Sequence, residues 1–330
     1  MDHTFSNKEF SLIIPAFNEE QVLPLLCQAL AGELDSWVTG QWEVIFVDDG
    51  STDRTVQLML QQHEKDPRFK AVVLSRNFGH QAAVATALQY ASSEFVGVID
   101  ADLQDPLPVL RELYDACARS GANVAFGVRQ QRDAPWLLDL SYKAFYRFMS
   151  RFSDHPWPID AGDFCVLDRR AVLILRSMPE SSRILRGLRS WIGLHQAAIP
   201  YTRPRRRAGQ SKYNFVQLTK LAVDSIVSFT SAPLQFGVIC GLSTALICVL
   251  ISLLFLINRL FPTFTIFGYS IGARPGTATT VILVSLLFAI NFFCLGIMGQ
   301  YLAVVLKEVK RRPQAVVQQT IGDLRTFDNS

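Results

Sequence analysis

VIDADLQDP, Val98–Pro106, ends an apolar run in three carboxylates and an amide. The run itself, EFVGVID (94–100), has the length and composition of a buried strand. Four similar runs accompany it: SLIIPAF (11–17), EVIFVDD (43–49), KAVVLSR (70–76) and NVAFGVR (123–129). Stretches of helical periodicity separate them, at 19–34, 53–63, 79–91 and 107–120. Strands alternating with helices predict an α/β fold on an open, mostly parallel sheet. Ligands of such sheets bind outside the carboxyl ends of the strands. There the chain places Asn18 and Glu19 after the first run, Asp48 and Asp49 after the second, and Asp100 and Asp102 after the fourth.

Asp100 and Asp102 flank one residue, so both reach the same crevice once the chain leaves its extended conformation. Two such charges repel unless a cation joins them. Hard oxygen donors suit Mg²⁺ or Mn²⁺, which keep positions open for phosphate oxygens. A diphosphate is therefore the natural partner. Solvated turn residues are the plain alternative for an isolated Asp-x-Asp, and the neighbouring polar clusters weigh against it. No Gly-x-Gly-x-x-Gly follows the first strand and no Gly-Lys-Ser/Thr loop occurs, so neither a dinucleotide dehydrogenase nor a P-loop NTPase is supported. Asp48-Asp49-Gly50-Ser51 ends the second strand in a turn that can offer a carboxylate to the donors of a base.

Part of the chain is expected to meet lipid. Of 330 residues, 49% are hydrophobic and 18% charged, more apolar than an average soluble protein. The excess lies at 233–257 and 278–306, two charge-free runs each longer than the ~20 residues that cross a ~30 Å hydrocarbon core. A transmembrane hairpin is expected, a buried soluble helix pair being the alternative. Arg203, Arg205, Arg206, Arg207, Lys212 and Lys220 precede it, Lys307, Lys310, Arg311 and Arg312 follow it, and its loop holds only Arg259 and Arg274. The positive-inside rule then puts both termini in the cytoplasm, with the chain in the cytoplasmic membrane. The first thirty residues have no basic segment followed by an apolar core, so no cleavable signal is expected. Four segments follow: a cytoplasmic α/β domain (1–202), a basic loop and juxtamembrane amphipathic helix (203–232), the hairpin (233–306) and a cytoplasmic tail (307–330).

The net charge of +3 is too small to suggest nucleic acid, and the basic residues gather where anionic headgroups attract them. The six cysteines form no Cys-x-x-Cys pair and read as buried hydrophobes in a reducing compartment. The five histidines lack zinc-ligand spacing. Lys143, Arg147 and Arg151, four apart, make one basic stripe on a helix suited to a headgroup interface, or the solvated edge of a core helix.

IIPAFNEE, VIFVDDGSTDRT, LSRNFGHQAA, DADLQDP, DAGDFCVLDRR, ILRGLRSWIG and AGQSKY occur in the order seen in inverting family-2 glycosyltransferases. With the C-terminal hairpin, nearly the whole chain resembles the polyprenyl-phosphate glycosyltransferases of the bactoprenol glucosyltransferase type, related to dolichyl-phosphate mannose synthase. The resemblance implies a GT-A (Rossmann-like) domain, interface helices and a two-helix membrane hairpin. The implied reaction moves a sugar from a nucleotide donor to a membrane polyprenyl phosphate on the cytoplasmic face. The wording of RNFGHQAA and DAGDF points to UDP-glucose, with mannose or an aminosugar as alternatives. A homotetramer and a separate flippase for the lipid product are implied as well.

Carried over by position, Pro15, Asn18, Glu19, Asp48, Asp49 and Asp100 line the nucleotide-sugar pocket, and Asp102, Gln104 and Asp100 approach the metal. Asp160 and Asp163 match the acidic motif that orients the acceptor or takes a residual proton; fixing their own loop is the alternative. Asp102 and Arg129 complete the catalytic set. Arg147, Arg207, Ser211 and Lys212 are the candidates for the lipid phosphate, and the run around Gly209 can close over both phosphates or simply lie on the membrane. A lipid phosphate is already anionic near neutral pH, so a cationic clamp matters more than a base. A processive polysaccharide synthase would show Gln-x-x-Arg-Trp and more spans, and LRGLRSW does not supply that motif. A non-catalytic scaffold retaining a nucleotide-binding shell is the remaining alternative, and the intact acidic motifs argue against it.

Overall fold

β1 (Lys8–Ala16) is apolar on both faces, with Phe10, Leu12 and Ile14 turned one way and Ile13 the other, all fully buried. Such a strand needs a cover on each side, as in α/β sheets. On the first side lie α1 (Leu23–Trp37), through Leu23, Leu26, Leu30 and Leu34, and α4 (Leu107–Ala118), through Leu110 and Leu113. On the other, α3 (His80–Leu88) packs on β1 and β2 (Gln41–Asp48). α1 starts four residues later than its periodicity predicts, because Glu19 O accepts from the N–H groups of Val22 and Leu23 in a turn and Pro24 opens the helix. The computed structural model describes residues 8–130, 147, 161–178, 180, 184–202, 230, 232–260 and 277–326.

The sheet has eight strands in the order β7-β5-β6-β4-β1-β2-β3-β8. β3 (Phe69–Leu74), β4 (Phe95–Val98) and β5 (Val124–Arg129) are those read from the sequence, with α2 (Thr55–Lys65) between β2 and β3. β6 (Ala161–Asp168) is inserted antiparallel between β4 and β5, and β7 (Gln196–Tyr201) runs parallel to β5. The predicted mostly parallel α/β sheet is thus observed. Asp168 ends β6 and caps α5 (Arg169–Ser177), its Oδ1 accepting from Ala171 N at 2.7 Å. α6 (Leu185–Trp191) follows.

α7 (Ala232–Leu260) and α8 (Thr277–Val309) contain the two charge-free runs and extend them by one to three residues at each end. Their best windows have mean hydropathy 1.9 and 1.8, and both helices are long and apolar enough to cross a membrane. Large apolar side chains on them, including Phe236, Leu242, Leu246, Phe292 and Leu302, are exposed. The two helices pack on each other, and Tyr301 OH donates to Thr230 O at 2.7 Å.

Beyond α8 the chain returns to the sheet. β8 (Val317–Ile321) pairs antiparallel with β3, from Val317 beside Leu74 to Ile321 beside Ala71. Lys70 Nζ donates to Asp323 O at 2.8 Å, and Ile321 is buried. The two compact units are accordingly Met1–Ser225 with Arg311–Ser330, and Ile226–Lys310. Of the basic loop and juxtamembrane helix expected at 203–232, all but Thr230 and Ala232 lie outside the described residues.

Candidate active site

The carboxyl ends of β1, β2 and β4 each leave the sheet in a turn held by side chains. Asn18, at φ 53°, donates from N to Ser51 Oγ at 2.8 Å, and its Oδ1 accepts from Thr52 N at 2.8 Å. Glu19 N donates to Thr55 Oγ1 and Glu20 N to Asp53 Oδ2. These bonds stitch NEE to STDRT, so two motifs distant in sequence form one wall. Pro15 is buried on β1 beside Val47.

The paired aspartates after β2 divide their work. Asp48 Oδ2 accepts from Gly50 N and Ser51 N, while its Oδ1 is buried without a hydrogen bond. Asp49 turns the opposite way and accepts from Phe78 N at 2.7 Å and Gly79 N at 3.0 Å, holding the turn that leads into α3. Burial pushes both carboxyls above their ordinary pKa, against the hydrogen bonds that favour their charged forms. Gly50 sits at φ 73°, and a Cβ there would lie 2.5 Å from Asn77 N, so the close approach of these two turns requires glycine.

After β4, Asp105 Oδ2 accepts from Asp100 N at 3.0 Å, and Asp102 Oδ1 from Gln104 N at 3.1 Å. Leu103 adopts φ 57° between them, and Asp102 is buried. The turn is thus fixed by its own side chains, at the cost of one residue in a sparsely populated conformation. Arg129, at the end of β5, donates from Nε to Tyr201 OH at 3.3 Å, and that hydroxyl donates to Asp105 Oδ1. Burial works against the Arg129 charge, but Tyr201, Asp105 and Asp100 together hold its pKa above the ordinary value. Gly162 leaves room for this guanidinium, since a Cβ there would meet Nη2 at 3.2 Å.

Asp163, on β6, faces α3. Its Oδ2 accepts from Gln81 Nε2 at 2.6 Å and lies 3.3 Å from His80 Nε2, which is also 3.8 Å from Asp100 Oδ1. Asp163 Oδ1 is buried without a hydrogen bond, and below it the guanidinium of Arg189 is fully buried over the Phe126 ring. Burial would raise the Asp163 pKa, but His80, Arg186 and Arg189 hold it far below the usual carboxylate range. Burial likewise opposes the His80 charge, yet the Asp163 hydrogen bond and the charges of Asp100, Asp163 and Asp49 push its pKa up to about 9.

The sequence that builds this site matches a known family. Residues 11–173 match the profile of Glycosyl transferase family 2. Over 316 residues, 95% of its length, the chain is 34% identical to the Bacillus subtilis glycosyltransferase YkcC, covering 94% of that protein. The chain belongs to glycosyltransferase family 2. This glycosyltransferase is also 30% identical over 315 residues to the SfII prophage-derived bactoprenol glucosyl transferase of Shigella flexneri, covering 94% of this chain and 98% of that one. Among solved structures it is similar to glucosyl-3-phosphoglycerate synthase of Mycobacterium tuberculosis in complex with Mn²⁺, UDP-glucose and phosphoglyceric acid, with a TM-score of 0.47, 17% identity, and coverage of 67% of this chain and 78% of that one.

In the glycosyltransferase, Pro15, Asn18, Glu19, Asp48, Asp49, Asp100, Asp102 and Gln104 lie at the carboxyl ends of three neighbouring strands, and Asp163 and Arg129 are linked to Asp100 through His80 and through Tyr201 and Asp105. Arg147 is helical and exposed. Asp160, Arg207, Ser211 and Lys212 lie outside the described residues. Among the described residues no group of three or more His, Cys, Asp or Glu could hold a metal ion alone. Sequence reasoning did not single out His80, Gln81, Asp105, Tyr201, Arg186 or Arg189 as site residues. All but Tyr201 stood inside the motifs RNFGHQAA, DADLQDP and ILRGLRSW, and that membership was the available signal.

Proposed function

We propose that this glycosyltransferase transfers glucose from UDP-glucose to a membrane polyprenyl phosphate at the cytoplasmic face, with inversion at the anomeric carbon. The observation that carries the reading is the near full-length similarity to a bactoprenol glucosyl transferase, extending through α7 and α8. On this reading the hairpin spans the membrane, with the basic residues at 203–220 and 307–312 on the cytoplasmic side. β8 is in keeping with that topology: a tail that pairs with β3 lies in the same compartment as the sheet, as an even number of crossings requires.

The unpartnered, buried Asp48 Oδ1 is suited to accept from a base N–H. Asp100, Asp102 and the Gln104 amide oxygen are hard donors in one turn, too few to enclose an ion alone. They fit Mg²⁺ or Mn²⁺ completed by the donor's diphosphate. Such an ion would neutralise charge developing on the leaving diphosphate. Arg129, held in its charged form, adds a cation close to Asp100. The acceptor phosphate attacks as an anion, so the chain's task is to align it and to exclude water. Arg147, Arg207, Ser211 and Lys212 are the proposed phosphate ligands.

The test is incubation of the detergent-solubilised protein with undecaprenyl phosphate, Mg²⁺ or Mn²⁺ and radiolabelled nucleotide sugars, followed by lipid extraction. Lipid label from UDP-glucose, lost with chelator and in Asp102→Asn, is the expected result. Label from another donor corrects the sugar, and no lipid label from any donor with folded protein overturns the acceptor.

A further inference from the structure

His80 opens α3, and its place is determined from several sides. Asp49 holds the turn at Phe78 and Gly79 that delivers it. Arg176, buried on α5, donates from Nε to Leu88 O at 2.6 Å and from Nη2 to Ala91 O, clamping the other end of the same helix. The adjacent Gln81 donates to Asp163 Oδ2 and accepts from Leu185 N at 2.9 Å, tying α3 to β6 and α6. One imidazole nitrogen, Nε2, therefore faces the first aspartate of DADLQDP and the last of DAGD, at 3.8 and 3.3 Å.

Asp163 is enclosed by comparison. Its Oδ2 is taken by Gln81 and His80, and its Oδ1 is buried. The Asp163 side chain is 18% exposed, but with Oδ2 already engaged by two donors it has little capacity to take a substrate proton, and an ionised acceptor phosphate has little to give. Its geometry instead suits orienting a neighbour, as the third member of a catalytic constellation orients the second.

We infer that His80 is a positioning residue for glycosyl transfer, which holds Asp100 in the orientation the sugar nucleotide requires, and that Asp163 acts on the reaction only through His80. Restricting one carboxylate to a single orientation reserves the donor for productive binding. The inference deepens the function proposed above and rests on it for the acceptor, though not for the donor side.

The test is initial-rate kinetics on the full-length protein with UDP-glucose and undecaprenyl phosphate, for wild type, His80→Ala, His80→Asn, Asp163→Asn and the His80→Ala/Asp163→Asn pair. The expected result is a drop of at least about tenfold in kcat/KM for UDP-glucose in His80→Ala and in Asp163→Asn, with the KM for undecaprenyl phosphate within about threefold of wild type. The double variant is expected to be no slower than His80→Ala, because without His80 nothing remains for Asp163 to position. His80→Asn, which keeps a donor, is expected to recover part of the loss, and carries the comparison should His80→Ala fail to fold. Losses that multiply in the double variant, a general rise in both KM values, or wild-type kinetics in His80→Ala overturn the inference. If wild-type protein labels no lipid, the acceptor reading fails alone. Calorimetric binding of UDP-glucose, UDP-N-acetylglucosamine and GDP-mannose to the same proteins then decides: a non-additive loss of donor affinity supports the role of His80, and additive or absent losses overturn it.

Discussion

Tyr201 OH donates to Asp105 Oδ1 at 3.3 Å across 96 residues of sequence, and accepts from Arg129 Nε at the same distance. The Tyr201 ring meets Phe164 edge-on, with centroids 5.4 Å apart, so Tyr201→Phe removes the hydroxyl and leaves the packing. Asp105 then loses one of the bonds by which it braces Asp100 N, and Arg129 loses a partner. A stability loss of about 1 kcal/mol is expected, as for one buried hydrogen bond. A several-fold lower transfer rate should accompany it. Urea midpoints and initial rates check the two effects separately.

Lys70 and Glu43 form an ion pair at 3.0 Å with side chains 10% and 2% exposed, and Ser11 donates to Glu43 at 2.9 Å. Removing one member of such a pair strands the other charge. Lys70→Met is expected to cost about 3–5 kcal/mol, and Lys70→Met/Glu43→Gln less than Lys70→Met alone. Thermal unfolding in detergent, followed by tryptophan fluorescence, tests the order of the two variants.

Asp66 accepts three bonds from the Arg68 side chain and one from its backbone N–H. Burial would raise its pKa, but these bonds hold it below the ordinary value. The folded pKa is thus below the unfolded one of about 3.9. The stability it contributes is full above that unfolded value and is lost as pH falls through the folded value. Arg68 is substantially exposed, so the contribution is below about 1 kcal/mol. Asp66→Asn should lower stability at pH 7 and converge on wild type once the pH falls below the folded value, in a denaturant titration.

Ending the chain after Arg312 removes β8 and leaves the β3 edge unpaired. Ile321 is lost from the core, and Lys70 loses its bond to Asp323 O. The truncated protein is expected to melt several degrees lower and to aggregate through the open edge. Thermal scans and light scattering measure both.

The strands that the alternation of apolar runs predicted, β1 to β5, were legible because each is largely buried on both faces and so is mostly apolar, the buried Ser11, Glu43 and Lys70 being paired with one another. β6 was visible only as the motif DAGDFCVLD, because a strand inserted between two others of the sheet is defined by its partners rather than by its own pattern. β7, with QAAIPY half exposed, and β8, with VQQTI, carry too little apolar signal to be read at all. Asp49 shows the same division within one residue pair: the doubled aspartate was conspicuous, but that one carboxylate shapes the Phe78–Gly79 turn follows from its hydrogen bonds alone.

Hydrophobic periodicity and local turn chemistry act over a few residues, so the α/β class, the acidic turns at the strand ends and the two helices long enough to cross a membrane were readable from the order of residues alone. That His80 stands between Asp100 and Asp163, that Tyr201 joins Arg129 to Asp105, and that the C-terminal tail pairs with the edge of the sheet emerged from the folded arrangement. Those relationships join residues from 20 to more than 200 positions apart, and the bonds that make them are formed only after the sheet has chosen its strand order.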